Sequence, residues 1–429
     1  MNLNMLHPAE QLAIIIKRVY NQRRTTTSGG NISIKDENGD MWITPGAIDK
    51  GNLTKDDMIC IKPDGTIIGR HKPSSEYPFH QRIYEVRPDL RAVLHAHPSA
   101  LVAFSIVRKL PDTTLTPQIY YECGKPGMAK YAMTGSEELG EKIAEVFAQN
   151  LNVAILENHG VVVGAGCLQD AFGLFETMES AARMEINATT IGSKKSLDVE
   201  LLESCRETQA SELPEFVCES YSSAEKEARK TICDFAARAY RQELINSVQG
   251  SFSERTGEHS FVITPHHCDR LSLEPADIVS VENGAVEKGK VPSAMVLIHE
   301  AIYEQHPEIH NIIICQPMNV TAFAVTDTPL DSRTIPESYI NMRDIPRLPK
   351  PIMMLDAKEV AAAFNESTPI VLAQNDSVIV TGDNMLQVFD RLEVAEYSAM
   401  SIIMSKNQGE MVPIDEKGLE DIRKGFHLK

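Results

Sequence analysis

The chain has 429 residues, too many for one ordinary domain and enough to bury two or three cores. Its 60 acidic against 42 basic residues give a formal net charge of −18 without a block of like charges, which disfavours nucleic-acid or anionic-membrane binding. Eight scattered cysteines with no Cys-x-x-Cys pair argue against a disulfide framework or cysteine zinc site; with no secretory leader and no apolar stretch of the ~20 residues a bilayer needs, the expected compartment is the cytoplasm.

Pro8 and Glu10 open a helical pattern with apolar Leu12, Ile15, Ile16, Val19 and Tyr20 at three- and four-residue spacing. Strands are expected at Ile32 to Ile34 and Met41 to Thr44, then at Met58 to Lys62 and Thr66 to Ile68, each pair around a turn. Ser75 to Glu85 reads as a helix. The apolar run from Ala92 to Leu94 then delivers His95 and His97, whose one-residue spacing puts both on the same face of a strand. An isolated His-x-His is as readily a packing pair as a ligand pair.

Ser136 resembles an N-cap for a helix running to about Asn150, with Glu137 and Glu138 in its first turn. Val153 to Leu156 and Val161 to Gly164 read as buried strands flanking Glu157-Asn158-His159-Gly160. A long helix from Leu168 to Ile191 follows.

The second half repeats this plan. Displaced by 220, Ile43-Thr44-Pro45 falls on Ile263-Thr264-Pro265, Gly30 on Gly250 and Ser33 on Ser253. Displaced by 219, Ile83-Tyr84-Glu85 falls on Ile302-Tyr303-Glu304, and by 217, Glu176 and Glu179 meet Glu393 and Glu396. Two domains are expected, 1–212 and 213–429, with the joint near Ser211 to Phe216 and a helix beginning around Ser223.

The repeat is an internal control. His95, His97, His159 and Glu76 fall on Ile314, Gln316, Asp376 and Met295, whereas His80 is retained as His299. Side chains lost together point to one shared task. A metal site fits, because imidazole suits zinc and three protein ligands leave a position open. Ser28-Gly29-Gly30-Asn31, Gly46-Ala47 and Ser74-Ser75 are loop segments of the kind that cradle phosphate or carboxylate.

The ordered set Ser-Gly-Gly-Asn-Ile-Ser, Ile-Thr-Pro-Gly, Pro-Ser-Ser-Glu with His80, Leu-His-Ala-His-Pro and Glu-Asn-His-Gly resembles the class II aldolase/adducin family over most of residues 8 to 192. The second half resembles it in frame but not in site residues. The resemblance implies two tandem three-layer αβα domains with mainly antiparallel central sheets, an α/β fold. It implies zinc, or another divalent ion, on His95, His97 and His159, with Glu76 as acid/base. Gly30, Asn31, Gly46, Ala47, Ser74 and Ser75 would receive substrate or its phosphate. Tyr121, allowing an insertion before it, falls where the family has a proton-donating tyrosine.

The implied activity is a metal-dependent aldolase cleaving a ketose phosphate or related sugar acid by retro-aldol chemistry. Alternatives within the family are a sugar-phosphate 4-epimerase, a dehydratase, or a non-catalytic adducin-like interaction module. Related epimerases carry Asp where this chain has Glu76, which favours carbon–carbon cleavage. Gly46-Ala47 replaces the usual Thr-Gly or Ser-Gly, so a hydroxyl donor is missing. Four-fold rings in the family imply a homodimer here, forming a ring of four domains.

Overall fold

The structure is a computed structural model that describes residues 3–206 and 213–428. The joint expected at 211–216 falls partly outside the described residues. Two compact units emerge, one holding the chain up to Thr113 with Ile119–Arg183, the other holding Thr114–Gln118 with the chain from Met184 onward. Among the described residues no helix is long and apolar enough to cross a membrane, and none of the eight cysteines is in a disulfide.

The first unit contains α1 (Pro8–Asn21), β1 (Asn31–Lys35), β2 (Met41–Ile43), β3 (Ile59–Ile61), β4 (Ile67–Ile68), α2 (Tyr77–Val86), β5 (Ala92–Ala96), α3 (Ser99–Ile106) and most of α4 (Pro117–Cys123). It continues through β6 (Gly127–Ala129), α5 (Glu137–Phe147), β7 (Val153–Leu156), β8 (Gly160–Ala165) and most of α6 (Leu168–Ile191). The eight strands run in the order β4-β3-β2-β1-β5-β8-β7-β6, antiparallel except for the β6–β7 pair.

Periodicity explains why these segments form. The buried stripe Leu12, Ile15, Ile16 and Val19 of α1 sits at helical spacing. Ser136 caps α5 by accepting the Leu139 N–H at 3.2 Å. The central strands β5 and β7 are buried along their whole length, as sheets covered on both faces require. One face packs Val93, Ala154 and Val162 against Phe79 and Ile83 of α2 and Ile143 and Phe147 of α5. This gives mixed α/β layering with β5 at the centre of the sheet.

The second unit contains β9 (Glu215–Phe216), β10 (Ser251–Gly257), β11 (Ser260–Ile263), β12 (Val279–Glu282), β13 (Ala285–Glu287), β14 (Asn311–Cys315), β15 (Arg347–Leu348), β16 (Ile370–Ala373) and β17 (Val378–Gly382). Their order is β15-β16-β17-β14-β10-β11-β12-β13-β9. The registers of the two sheets superpose: Asn31 pairs with His95 as Ser251 pairs with Ile314, and Ser33 with Ile43 as Ser253 with Ile263. His95 pairs with Val162 as Ile314 pairs with Ile379. The sequence displacements therefore describe equivalent places in two sheets.

Candidate metal centre

Three segments far apart in sequence converge at the end of β5. His95 lies on the strand, His97 just beyond it, and His159 in the turn between β7 and β8. Their ligand nitrogens all lie within 4.8 Å of one another, and the His95 and His97 ring centroids are 4.7 Å apart. That proximity lets the three imidazoles serve one divalent ion, with a position left open.

Local sequence makes this convergence fit. A Cβ on Gly160 would stand 2.9 Å from His97 Cδ2 and 2.5 Å from the Ala96 carbonyl oxygen, so a bare backbone leaves room for the imidazole. Asn158 turns the chain at φ 54°, a conformation Asn tolerates, and brings His159 round.

The electrostatics favour a cation. His95 is fully buried, and its Nδ1 donates to the Val161 carbonyl at 2.9 Å, which leaves the lone pair on Nε2. Burial pushes the His95 pKa well below its ordinary value, helped by His97 and His159, and burial lowers His97 and His159 as well. All three are neutral bases near pH 7, the form a metal requires. His95 Nε2 faces Glu76 Oε2 at 3.4 Å, and His159 Nε2 faces Glu76 Oε1 at 3.6 Å. His95 Nε2 and Glu76 Oε1 are both buried without a hydrogen-bond partner. A lone pair opposed to a carboxylate oxygen is repulsive unless a positive charge lies beside them, so the donor set fits a divalent ion.

Glu76 is the N-cap of α2 and nearly buried. Asn31 Nδ2 donates to Glu76 Oε2 at 2.7 Å, and Asn31 Oδ1 meets His80 Nε2 at 2.5 Å, so both ends of this amide are committed. The Gly46 N–H donates to the Lys72 carbonyl and the Ser74 N–H to the Thr44 carbonyl, while Ser74 Oγ accepts from the Glu76 N–H. Gly30 lies against the His95 carbonyl oxygen at φ 70°. Of the loop residues singled out by sequence, Ser28, Ala47 and Ser75 are exposed. The structure thus gathers Gly30, Asn31, Glu76 and the three histidines, with Gly46 packed against Ser74 nearby. Tyr121 is half-buried on α4, its ring 5.9 Å from that of Tyr120.

Sequence reasoning did not single out Lys50. Its buried ammonium donates to the Pro45 carbonyl at 2.5 Å and its N–H to the Thr27 carbonyl, tying together the two loops that precede the site. Burial pulls its pKa down to about 8. Arg270 holds the equivalent backbone place, its N–H donating to the Ser247 carbonyl, but its side chain turns to the Gln249 and Gly250 carbonyls instead.

Comparison with known proteins matches the chain twice, over residues 10–186 and 230–403, to the family described as the Class II Aldolase and Adducin N-terminal domain. The L-fuculose phosphate aldolase of Methanococcus maripaludis is 33% identical over 170 residues, covering 40% of this chain and 91% of that protein. The 3-oxo-tetronate 4-phosphate decarboxylase of Haemophilus influenzae is 29% identical over 180 residues, covering 41% and 85%. A solved L-fuculose 1-phosphate aldolase aligns at 29% identity with a TM-score of 0.43, covering 46% of this chain and 93% of that one.

Proposed function

Because the chain belongs to the class II aldolase and adducin family, which matches both of its halves, we propose that its first half is a metal-dependent lyase cleaving a carbon–carbon bond of a ketose phosphate or related sugar acid. The observation that carries this is the pair of partnerless buried atoms, His95 Nε2 and Glu76 Oε1, at the centre of three neutral imidazoles.

His95, His97 and His159 would hold zinc or another divalent ion. Such an ion supplies Lewis-acid polarisation of a carbonyl next to the bond that breaks. Glu76, with one oxygen tied to Asn31 and the other free, takes the hydroxyl proton whose departure drives cleavage and returns a proton to the carbon left behind. An aldehyde leaves. Tyr121 is assigned to hydrogen-bonding the oxygen on the departing side, on the family resemblance alone. With the Gly46 N–H and the Asn31 amide committed inside the protein, Ser75 and the turn at Ala47 are the groups offered to an anion. That small cradle suits a carboxylate as well as a phosphate.

The similarity to a decarboxylase supports a second reading, loss of carbon dioxide from a 3-oxo acid phosphate by the same residues. Purified protein dialysed against zinc and offered a panel of ketose 1-phosphates, sugar acids and 3-oxo acid phosphates tests both. Release of an aldehyde with dihydroxyacetone phosphate or an analogue supports the aldolase, and carbon dioxide the decarboxylase. Protein that retains no metal and turns over none of these sinks the proposal. We further propose that two chains, in the cytoplasm, close a four-domain ring of about 95 kDa, twice the 47.6 kDa chain. Light scattering that gives a monomer would overturn it.

A further inference from the structure

The free oxygen of Glu76 is selected by a buried chain of hydrogen bonds that runs away from the metal centre. Ser33, Tyr84, His80 and Asn31 are all at most 3% exposed. Tyr84 OH lies 2.8 Å from Ser33 Oγ, Ser33 Oγ lies 2.7 Å from His80 Nδ1, and His80 Nε2 reaches Asn31 Oδ1. The Asn31 amide then meets Glu76 Oε2.

The direction of every link follows from its last member. An ionised carboxylate only accepts, so Asn31 must turn its NH2 group to Glu76 and its carbonyl to His80. His80 must then carry its proton on Nε2, because a carbonyl only accepts as well. Nδ1 is left as an acceptor, so Ser33 donates to it and Tyr84 donates to Ser33. One arrangement of protons satisfies the chain from Glu76 to Ser33, while the Tyr84 hydroxyl also reaches the Ser33 and Arg91 carbonyls at 3.2 and 3.4 Å.

The second half contains the same network with a different end. Ser253 Oγ lies 2.6 Å from His299 Nδ1 and 2.7 Å from Tyr303 OH, and His299 Nε2 meets Ser251 Oγ at 2.9 Å. Ser251 occupies the place of Asn31 in the register. A hydroxyl both donates and accepts, so nothing there fixes the tautomer, and Met295 stands where Glu76 would be. The histidine, serine and tyrosine belong to the fold, whereas the amide link to a carboxylate belongs to the half with the metal ligands.

We infer that His80 is a positioning residue for the reaction: held as the Nε2–H tautomer, it orients the Asn31 amide, which pins Glu76 Oε2 and leaves Oε1 to carry the proton. This rests on the proposed role of Glu76. It also gives the Asn31 side chain a task other than phosphate binding.

The test uses the full-length, zinc-loaded chain and the second half as its structural control. In Asn31→Ser, the solution the second half already uses, kcat should fall about 10- to 100-fold, the scale of a misplaced catalytic group, with KM and zinc content unchanged. His80→Leu should lose kcat similarly, and His80→Gln, whose amide can accept from Ser33 and donate to Asn31, should recover most of it. His299→Leu should cost as much thermal stability as His80→Leu while kcat stays within about two-fold of the parent. If His80→Leu does not fold, Asn31→Ser decides. A raised KM with normal kcat in Asn31→Ser would return Asn31 to phosphate binding and overturn the inference. So would His299→Leu slowing turnover as much as His80→Leu.

A readout independent of activity is the long-range proton–nitrogen NMR correlation of the histidines. It should show His80 as the Nε2–H tautomer, and an Nδ1–H signal would overturn the relay even in an active enzyme. A chain that shows the Nε2–H signal yet cleaves no sugar phosphate upholds the relay and counts against the function instead.

Discussion

The first half carries His95 near the end of its central strand and His97 just past it, where the second carries Ile314 and Gln316. Around that difference much of the frame is shared. Glu179 is buried and accepts the Ala100 and Leu101 N–H groups at the start of α3. Glu396 does the same for Asn319 and Val320 at the start of the helix Met318–Ala324. Arg18 stacks 4.7 Å over Phe172, as Arg238 does over Phe389. Ala47 and His267 both take a positive φ, as do Asn158 and Asn375. Backbone strain beside a metal centre is often read as a mark of function, but here the half without the centre has it too. It belongs to the fold.

Where the halves part, the second is closed by its own bonds. Asp376, in the place of His159, accepts from the Ile352 N–H at 2.8 Å, from Ser377 Oγ at 2.7 Å and from Gln316 Nε2 at 3.3 Å. Ser377 stands where Gly160 makes room for the His97 ring. Ile314 and Met295 replace the residues that carry the two partnerless atoms, and the polar side chains in the places of His97 and His159 bond to each other, which removes the reason for an ion to bind.

The sharpest way to break this comparison is at the ligands. His95→Ala should abolish turnover and weaken metal binding by well over the roughly 100-fold that loss of an outer-shell partner can cost, whereas Ile314→Ala should leave metal content at the parent level. Metal analysis after dialysis checks both, and a fully metallated, active His95→Ala would end the metal-centre reading. Glu76→Gln should lower kcat by about 10²–10⁴-fold with metal retained. Metal loss in that variant would make Glu76 a ligand instead.

Smaller effects test what the halves share. Glu179→Ala and Glu396→Ala each strand two buried N–H donors, so each should cost about 1–3 kcal/mol per donor left unsatisfied. Urea unfolding showing one cost several times the other would break the equivalence of the frames. The gentlest test is pH. Burial holds both His80 and His299 down to about 3, while the unfolded side chains titrate near 6.5. Between those values the unfolded chain binds more protons than the folded one, so stability falls as pH falls. The slope is at most about 1.4 kcal/mol per pH unit for each histidine. His80→Gln and His299→Gln should flatten the slope equally, and an unchanged slope in either variant would show that its histidine is not held neutral.

Much of the site could be read before folding. The helix Leu168–Ile191 and the cap at Ser136 agree with periodicity and capping chemistry, which are local properties. The short elements α3, α4 and β6 carried too little periodic signal to be placed. Three loop segments were offered as an anion cradle on composition, and the family resemblance drew six residues from them, yet neither can tell which N–H groups are already bonded. The partners of Gly46 and Ser74, at Lys72 and Thr44, lie 26 and 30 positions away in the chain.

The sequence by itself determined that one plan is written twice and that its candidate metal ligands are written once. Both facts depend on which residues recur at a fixed displacement, and that needs no coordinates. Only the tertiary structure decided how the ligand residues are used. A buried donor or acceptor is satisfied by whatever the fold brings within about 3 Å. The groups that meet here, Asn31 with Glu76 and His80, or His95 with Val161, are 45 to 66 residues apart. Folding left His95 Nε2 and Glu76 Oε1 without such a partner, and it is on those two atoms that the case for an ion rests.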